Sequence, residues 1–115
     1  MTDRSDDLLV RDFVRGAMQV HVLHHAAEGS VHGAWLSAEL ARHGYYVSPG
    51  TLYPLLHRME RSGLLRSHKE VAAGRARRVY AATAAGRRAL ERLRRAAAEL
   101  AAEVAPESRS PKRVR

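Results

Sequence analysis

His21, His25 and Glu28 stand at positions i, i+4 and i+7 of a helical stretch, which puts two imidazoles and a carboxylate on one side of it. Imidazole and carboxylate groups at that spacing can hold a divalent ion such as zinc or nickel. His24, lying between them, is expected to point toward the core. The chain has no cysteine and no second ligand cluster. Histidines that hydrogen-bond across a dimer interface are therefore the plainer account, and no metal or cofactor is assigned. Histidines at an interface would also make pairing sensitive to pH. Trp35, the only tryptophan, could stack a planar small-molecule effector in a dimer cavity. Ser37 and Ser48 have no evident histidine–carboxylate partners, and no glycine-rich loop follows a strand. No residue is assigned a catalytic role, and an enzyme is not expected.

Charge is more telling. The 115 residues carry a net charge of +8. From Arg66 to Arg88 there are seven basic residues and one acid, Glu70; from Pro106 to Arg115 there are four basic residues and one acid, Glu107. Positive charge is thus gathered in one internal stretch and one tail, which favours a polyanionic partner, nucleic acid first. The acidic, polar opening MTDRSDD is unlike a signal peptide. No apolar run approaches the roughly 18 residues of a membrane span. A cytoplasmic location is expected, with no membrane partner.

The elements that position these groups follow from periodicity. A first helix is predicted from about Asp7 to Ala27. It bears one apolar strip with Leu9, Phe13, Gly16, Ala17, Val20 and Leu23, and a second with Val10, Val14, Met18 and Val22. A helix apolar on two sides is buried on both, the second side against another subunit. A second helix runs from about His32 to His43 and ends at Gly44. Leu52, Leu55, Leu56 and Met59 form the inner stripe of a third. Its start is placed near Gly50 or Thr51, with Ser48 and Pro49 in a lead-in turn, so that Pro54 falls in the tolerant first turn. Gly63 ends it. Two strands follow, from Leu64 or Leu65 to Val71 and from Arg77 to Ala82, joined by a turn over AAGRA. Thr83 caps a last helix on which Leu90, Leu93, Ala97, Leu100 and Val104 make a short heptad seam. Pro106 stops it.

Three helices, a basic hairpin and a seamed helix are the order of a winged helix-turn-helix. With its leucine stripe inward, the third helix exposes Gly50, Thr51, Tyr53, Pro54, His57, Arg58 and Arg61, with Ser48 at its entrance. Small and hydrogen-bonding groups come first and cations later, as entry into a major groove requires. Arg75, Arg77 and Arg78 at the hairpin suit flanking phosphates. The tail's charge is expected to be a solvated end.

HGAWLSAELARHGYYVSPGTLYPLLHRMERSGLL, followed by GRARRVYAATAAGRRAL, resembles the PadR family of bacterial regulators. The matching features are Gly33, the block Gly50 to Leu56, Glu60, Gly63-Leu64, Arg77, Tyr80, Thr83, Gly86 and Leu90. The resemblance implies a winged helix, dimerisation of the last helix on the partner's first helix, and repression released by a small molecule. It departs at Ala34 and Trp35, where the family pattern has an aromatic and then a polar residue. FVRGAMQVHVLHHAAEG also resembles PadR-like proteins associated with chromate-transport genes, a likeness of genomic context.

The fold expected is mainly α with a small β-hairpin. Residues 1–6 are read as a disordered start, 7–83 as the winged domain, 84–105 as the dimerisation helix and 106–115 as a basic disordered tail. Dimer contacts are expected from Phe13, Val14, Met18, Leu90, Leu93, Ala97, Leu100 and Val104. The function expected is that of a homodimeric regulator on a palindromic duplex operator, acting as a repressor. Two alternatives stand: a metal-responsive repressor using His21, His25 and Glu28, and a winged protein-interaction module that does not touch DNA.

Overall fold

The computed structural model describes residues 4–106. Seven elements occur in order: α1 (Arg4–Glu28), β1 (Val31–His32), α2 (Gly33–Arg42), α3 (Pro49–Arg61), β2 (Leu65–Ala72), β3 (Arg75–Ala82) and α4 (Ala84–Val104). The first helix begins three residues ahead of the expected Asp7, with Asp6 and Asp7 in its first turn, where carboxylates favour the helix dipole. Residues 4–6, expected to be disordered, are therefore helical. The start of the chain before Arg4 and the basic tail after Pro106 lie outside the described residues.

The core is a single cluster. Met18, Val22, Leu23 and Ala26 of α1 meet Leu36 and Leu40 of α2, and Leu52, Leu55, Leu56 and Met59 of α3. Leu65, Tyr80 and Ala82 of the sheet and Leu90 of α4 close it. The leucine stripe of α3 is thus fully inward, as its spacing predicts.

Three local readings are corrected. α3 begins at Pro49, with Ser48 as its N-cap: the Ser48 carbonyl accepts from the amide of Leu52 at 2.9 Å. Proline's fixed φ suits the first helical position. Pro54 then lies inside the helix and forgoes one backbone hydrogen bond, which burial of four apolar side chains offsets. The hairpin turn is only two residues, Ala73 and Gly74, both with positive φ (52° and 74°), so β3 starts at Arg75. Two positive φ values make the turn whose twist matches a tight hairpin. Finally, β1 is an unforeseen strand. It pairs antiparallel with β3, Val31 opposite Tyr80 and His32 opposite Val79, making a three-stranded sheet in the order β1-β3-β2.

The joint between α3, β3 and α4 is tightly bonded. The Thr83 amide donates to the Leu64 carbonyl at 3.1 Å. The Thr83 hydroxyl donates to the Gly63 carbonyl at 2.5 Å and accepts from the Gly86 amide at 3.0 Å. Gly86 packs so closely that a Cβ there would run into the Leu64 carbonyl oxygen.

Beyond this core the two long helices project. Residues 4–13 of α1 and 91–104 of α4 are exposed throughout. The radius of gyration is 16.9 Å with extents of 61 × 36 × 24 Å, against about 13 Å for a compact chain of 100 residues. No helix among the described residues is long and apolar enough to cross a membrane.

Candidate nucleic-acid interface

The outer face of α3 is open. Ser48, Gly50, Thr51, Tyr53, Pro54, His57, Arg58 and Arg61 are all exposed. The Ser48 hydroxyl donates to the Thr51 hydroxyl at 3.3 Å, leaving the entrance of the helix lined by two short polar groups. Tyr53 is less free than its sequence position suggests. A Cβ on Gly33 would lie 2.6 Å from the Tyr53 ring and hydroxyl, so one side of the ring lies on the start of α2. A side chain at position 33 would have to push the Tyr53 ring aside.

The strand register sorts the basic hairpin into two faces, because directly opposed residues share a side and alternate residues change side. Lys69 opposes Arg78, and this face continues from Ser67–Tyr80 and Leu65–Ala82 over the core. Glu70 opposes Arg77 and Ala72 opposes Arg75 on the other face. The three arginines expected to act together are therefore divided. Arg78 donates to the Ser67 hydroxyl at 2.9 Å, and that hydroxyl donates to Glu60 of α3 at 2.7 Å. The relay ties the wing to α3. Arg77 stands 3.9 Å from Glu70, which offsets its charge. Lys69 does not stand out among the basic residues taken by sequence position alone; pairing the strands from the turn outward places it opposite Arg78.

The eight expected dimer residues separate likewise. Phe13, Leu93, Ala97, Leu100 and Val104 line one open groove of about 770 Å³ between α1 and α4, with Gly16, Ala17 and Val20 also in its wall. Leu90 forms part of its lining but is 2% exposed and belongs to the core. Met18 (8% exposed) is buried in the same core, and Val14 packs against it. Met18 and Leu90 are thus buried in the protomer's own core rather than lying on open surface, and Val14 is half-buried beside them. The cause is that the strip Val14, Met18 and Val22 is the side on which the winged domain packs, while the strip through Phe13 is the one left open.

Trp35 lies apart from that groove. Its ring meets His25 edge-on at 5.1 Å between centroids, and it borders a smaller cavity of about 310 Å³ with His25, Glu28, Gly29, Ser30, Val31 and His32. An effector held between α1 and α4 would not touch it.

The histidine cluster is also rearranged. The groups whose donor atoms converge, all within 4.8 Å, are His24, His25 and Glu28. His21 turns instead to His43 and Tyr45, with ring centroids 4.9 and 5.1 Å away. Burial, and the neighbouring His43, His25 and His24, hold the His21 imidazole below its ordinary pKa. His24, expected to face the core, is partly exposed and accepts from Arg94 of α4 at 3.2 Å. Glu39 of α2 joins the cluster from outside α1, bonded to Arg42 at 2.8 Å and facing His43 at 3.3 Å. Burial works against its charge, yet these two partners hold its carboxyl below the usual range.

The comparisons with known proteins agree with this arrangement. The model of the PadR-like family of transcriptional regulators matches residues 22–92. The transcriptional regulator Rv3488 of Mycobacterium tuberculosis is 64% identical over 95 residues, 83% of this chain and 89% of that protein. A PadR family regulator from Eggerthella lenta, 30% identical, covers 93% of this chain and all of its own, with a TM-score of 0.70. A PadR-like regulator from Bacillus cereus, 26% identical over 87% of this chain and 99% of its own, superposes with a TM-score of 0.78. Family and relatives are regulators of transcription and not enzymes. An exposed third helix, a basic wing and a projecting pair of long helices are thus joined to a family match over most of the sequence: this chain belongs to the PadR-like family of transcriptional regulators.

Proposed function

We propose that this regulator is a homodimeric repressor that reads a roughly palindromic duplex operator through α3 and releases it when a small molecule occupies the groove between α1 and α4. The observation that carries the reading is the single surface formed by the outer face of α3 and the wing tied to it through Glu60, Ser67 and Arg78. Thr51, His57, Arg58 and Arg61 offer groups for base edges and phosphates there; Lys69 and Arg78 add cations on the wing face tied to α3, and Arg75 adds one near the hairpin turn on the other face. The open apolar groove supports self-association, since so large an apolar surface is costly to leave in water.

The test is a footprint of the chain on DNA upstream of its own gene, with titrations on the protected and on a scrambled duplex. Two half-sites about one DNA turn apart, or a multiple of it, are expected. Thr51→Ala and His57→Ala should each weaken the specific duplex by about 1–3 kcal/mol for every base-edge interaction removed. If both variants are folded and bind the protected site like the parent chain, α3 is not the reader.

A further inference from the structure

We propose that Tyr46, in the link between α2 and α3, contacts duplex DNA, its phenol donating to a phosphate oxygen at the edge of the groove that α3 enters. This contact presupposes that α3 meets DNA, as proposed above. The Tyr46 ring is 86% exposed, more than any other large apolar or aromatic side chain among the described residues. Its neighbours on either side turn inward: Tyr45 and Val47 pack against the core cluster, and the Tyr45 ring meets His21 of α1 at 5.1 Å between centroids. Burial alternates along the link, half-buried at 45 and 47 and exposed at 46 and 48, as in an extended segment whose successive side chains change side. Tyr46 therefore shares its side with Ser48, whose hydroxyl bonds Thr51 at the entrance of α3. Two extended residues span about 7 Å, so the ring continues the outer surface of α3. It is absent from the walls of the groove between α1 and α4, so a second copy seated in that groove does not account for it.

The link is held at both ends. Gly44 takes a φ of 89°; its amide donates to the Ala41 carbonyl at 3.0 Å, and the Tyr45 amide donates to the Leu40 carbonyl at 2.9 Å. That pair of bonds closes α2. At the other end Pro49 restricts Ser48 to extended backbone, with φ −77° and ψ 157°. A tyrosine mounted in this way has only two side-chain torsions left to fix, so it offers a large contact area and a hydroxyl at low entropic cost. The phenol is a neutral donor, and tyrosine is among the side chains that bond phosphate oxygens. A contact of this kind sets the position of the reading helix and carries no base preference.

The experiment titrates Tyr46→Phe and Tyr46→Ala against the protected and the scrambled duplex at several salt concentrations, with circular dichroism and sedimentation of each variant. Both variants should fold and self-associate like the parent chain, since the ring lies outside the core. Tyr46→Phe should weaken both duplexes about 3- to 10-fold, as loss of one hydrogen bond does. Its salt slope should match the parent's, because a neutral phenol displaces no counterion; this separates it from Arg75→Ala. Tyr46→Ala should weaken both duplexes further. Nitration by tetranitromethane should modify Tyr46 ahead of Tyr45, Tyr53 and Tyr80 in the free protein, and saturating duplex should suppress it there. A Tyr46→Phe variant that binds like the parent overturns the proposal, as does nitration of Tyr46 that duplex leaves unchanged or a loss confined to self-association. A parent chain that binds no duplex strikes the reading of α3 itself, whereas weakened Thr51→Ala beside unchanged Tyr46→Phe strikes this contact alone.

Discussion

Phe13→Ala isolates the groove between α1 and α4 from the rest of the protein. Phe13 is 61% exposed in the single chain, so its truncation removes little from the protomer's own core. If a second copy covers the groove, that exposed fraction becomes buried. Full burial of a phenylalanine is worth about 1.5–3 kcal/mol, so the exposed part gains about 1–2 kcal/mol. A two-fold interface uses each residue twice, which doubles the loss to about 2–4 kcal/mol. At 1.4 kcal/mol per decade, the dimer should weaken roughly 30- to 700-fold. Sedimentation equilibrium across the micromolar range measures this directly, with circular dichroism to confirm an unchanged fold. A variant that dimerises as tightly as the parent chain would refute the assignment of this groove to self-association. A monomeric parent chain at those concentrations would refute it more simply.

Gly86→Ala should destabilise the fold by about 1–3 kcal/mol despite alanine's better helix propensity, because the new Cβ meets a backbone carbonyl; a urea midpoint at or above the parent's, at equal protein concentration, would contradict it. Gly33→Ala should cost less, since the atoms it meets belong to the half-exposed Tyr53 ring, and its effect should appear instead as weaker operator binding. Arg75→Ala should weaken binding to specific and random duplexes alike and flatten the salt slope by about one unit. Arg77→Ala should do so less, its charge being partly offset by Glu70 at 3.9 Å; equal slopes for the two variants would remove that distinction.

The helices are legible in the sequence because each buries a stripe at a spacing that only one geometry satisfies, as Leu52, Leu55, Leu56 and Met59 illustrate. The two-residue strand Val31–His32 has no period to detect and exists only through its pairing with β3. The hairpin turn reads too wide from sequence because alanine rarely adopts the positive φ that Ala73 takes. Helical spacing puts His21, His25 and Glu28 on one side of α1 correctly. The partners that decide which of them converge, Glu39 and His43 of α2 and Arg94 of α4, lie across the fold, where spacing along one helix carries no information. The outer face of α3 is legible for a related reason: once the inner stripe of α3 is known, what remains must face outward. The division of Arg75, Arg77 and Arg78 between two faces requires the register.

The bonds of Thr83 and the close seat of Gly86 on Leu64 leave no soft element between the end of α3 and the beginning of α4. These contacts couple the end of α3 to the beginning of α4 through residues 63–64 and 83–86. In the proposed dimer, with copies meeting along α4, the angle between the two long arms would set the distance between the two α3 helices. Under the proposed function, a ligand that changed that angle would act on α3 without touching it, by altering the half-site spacing such a dimer could span. Operators lengthened or shortened by one base pair report such a change directly, since the preferred spacing should shift when the groove is filled while the preferred bases stay the same.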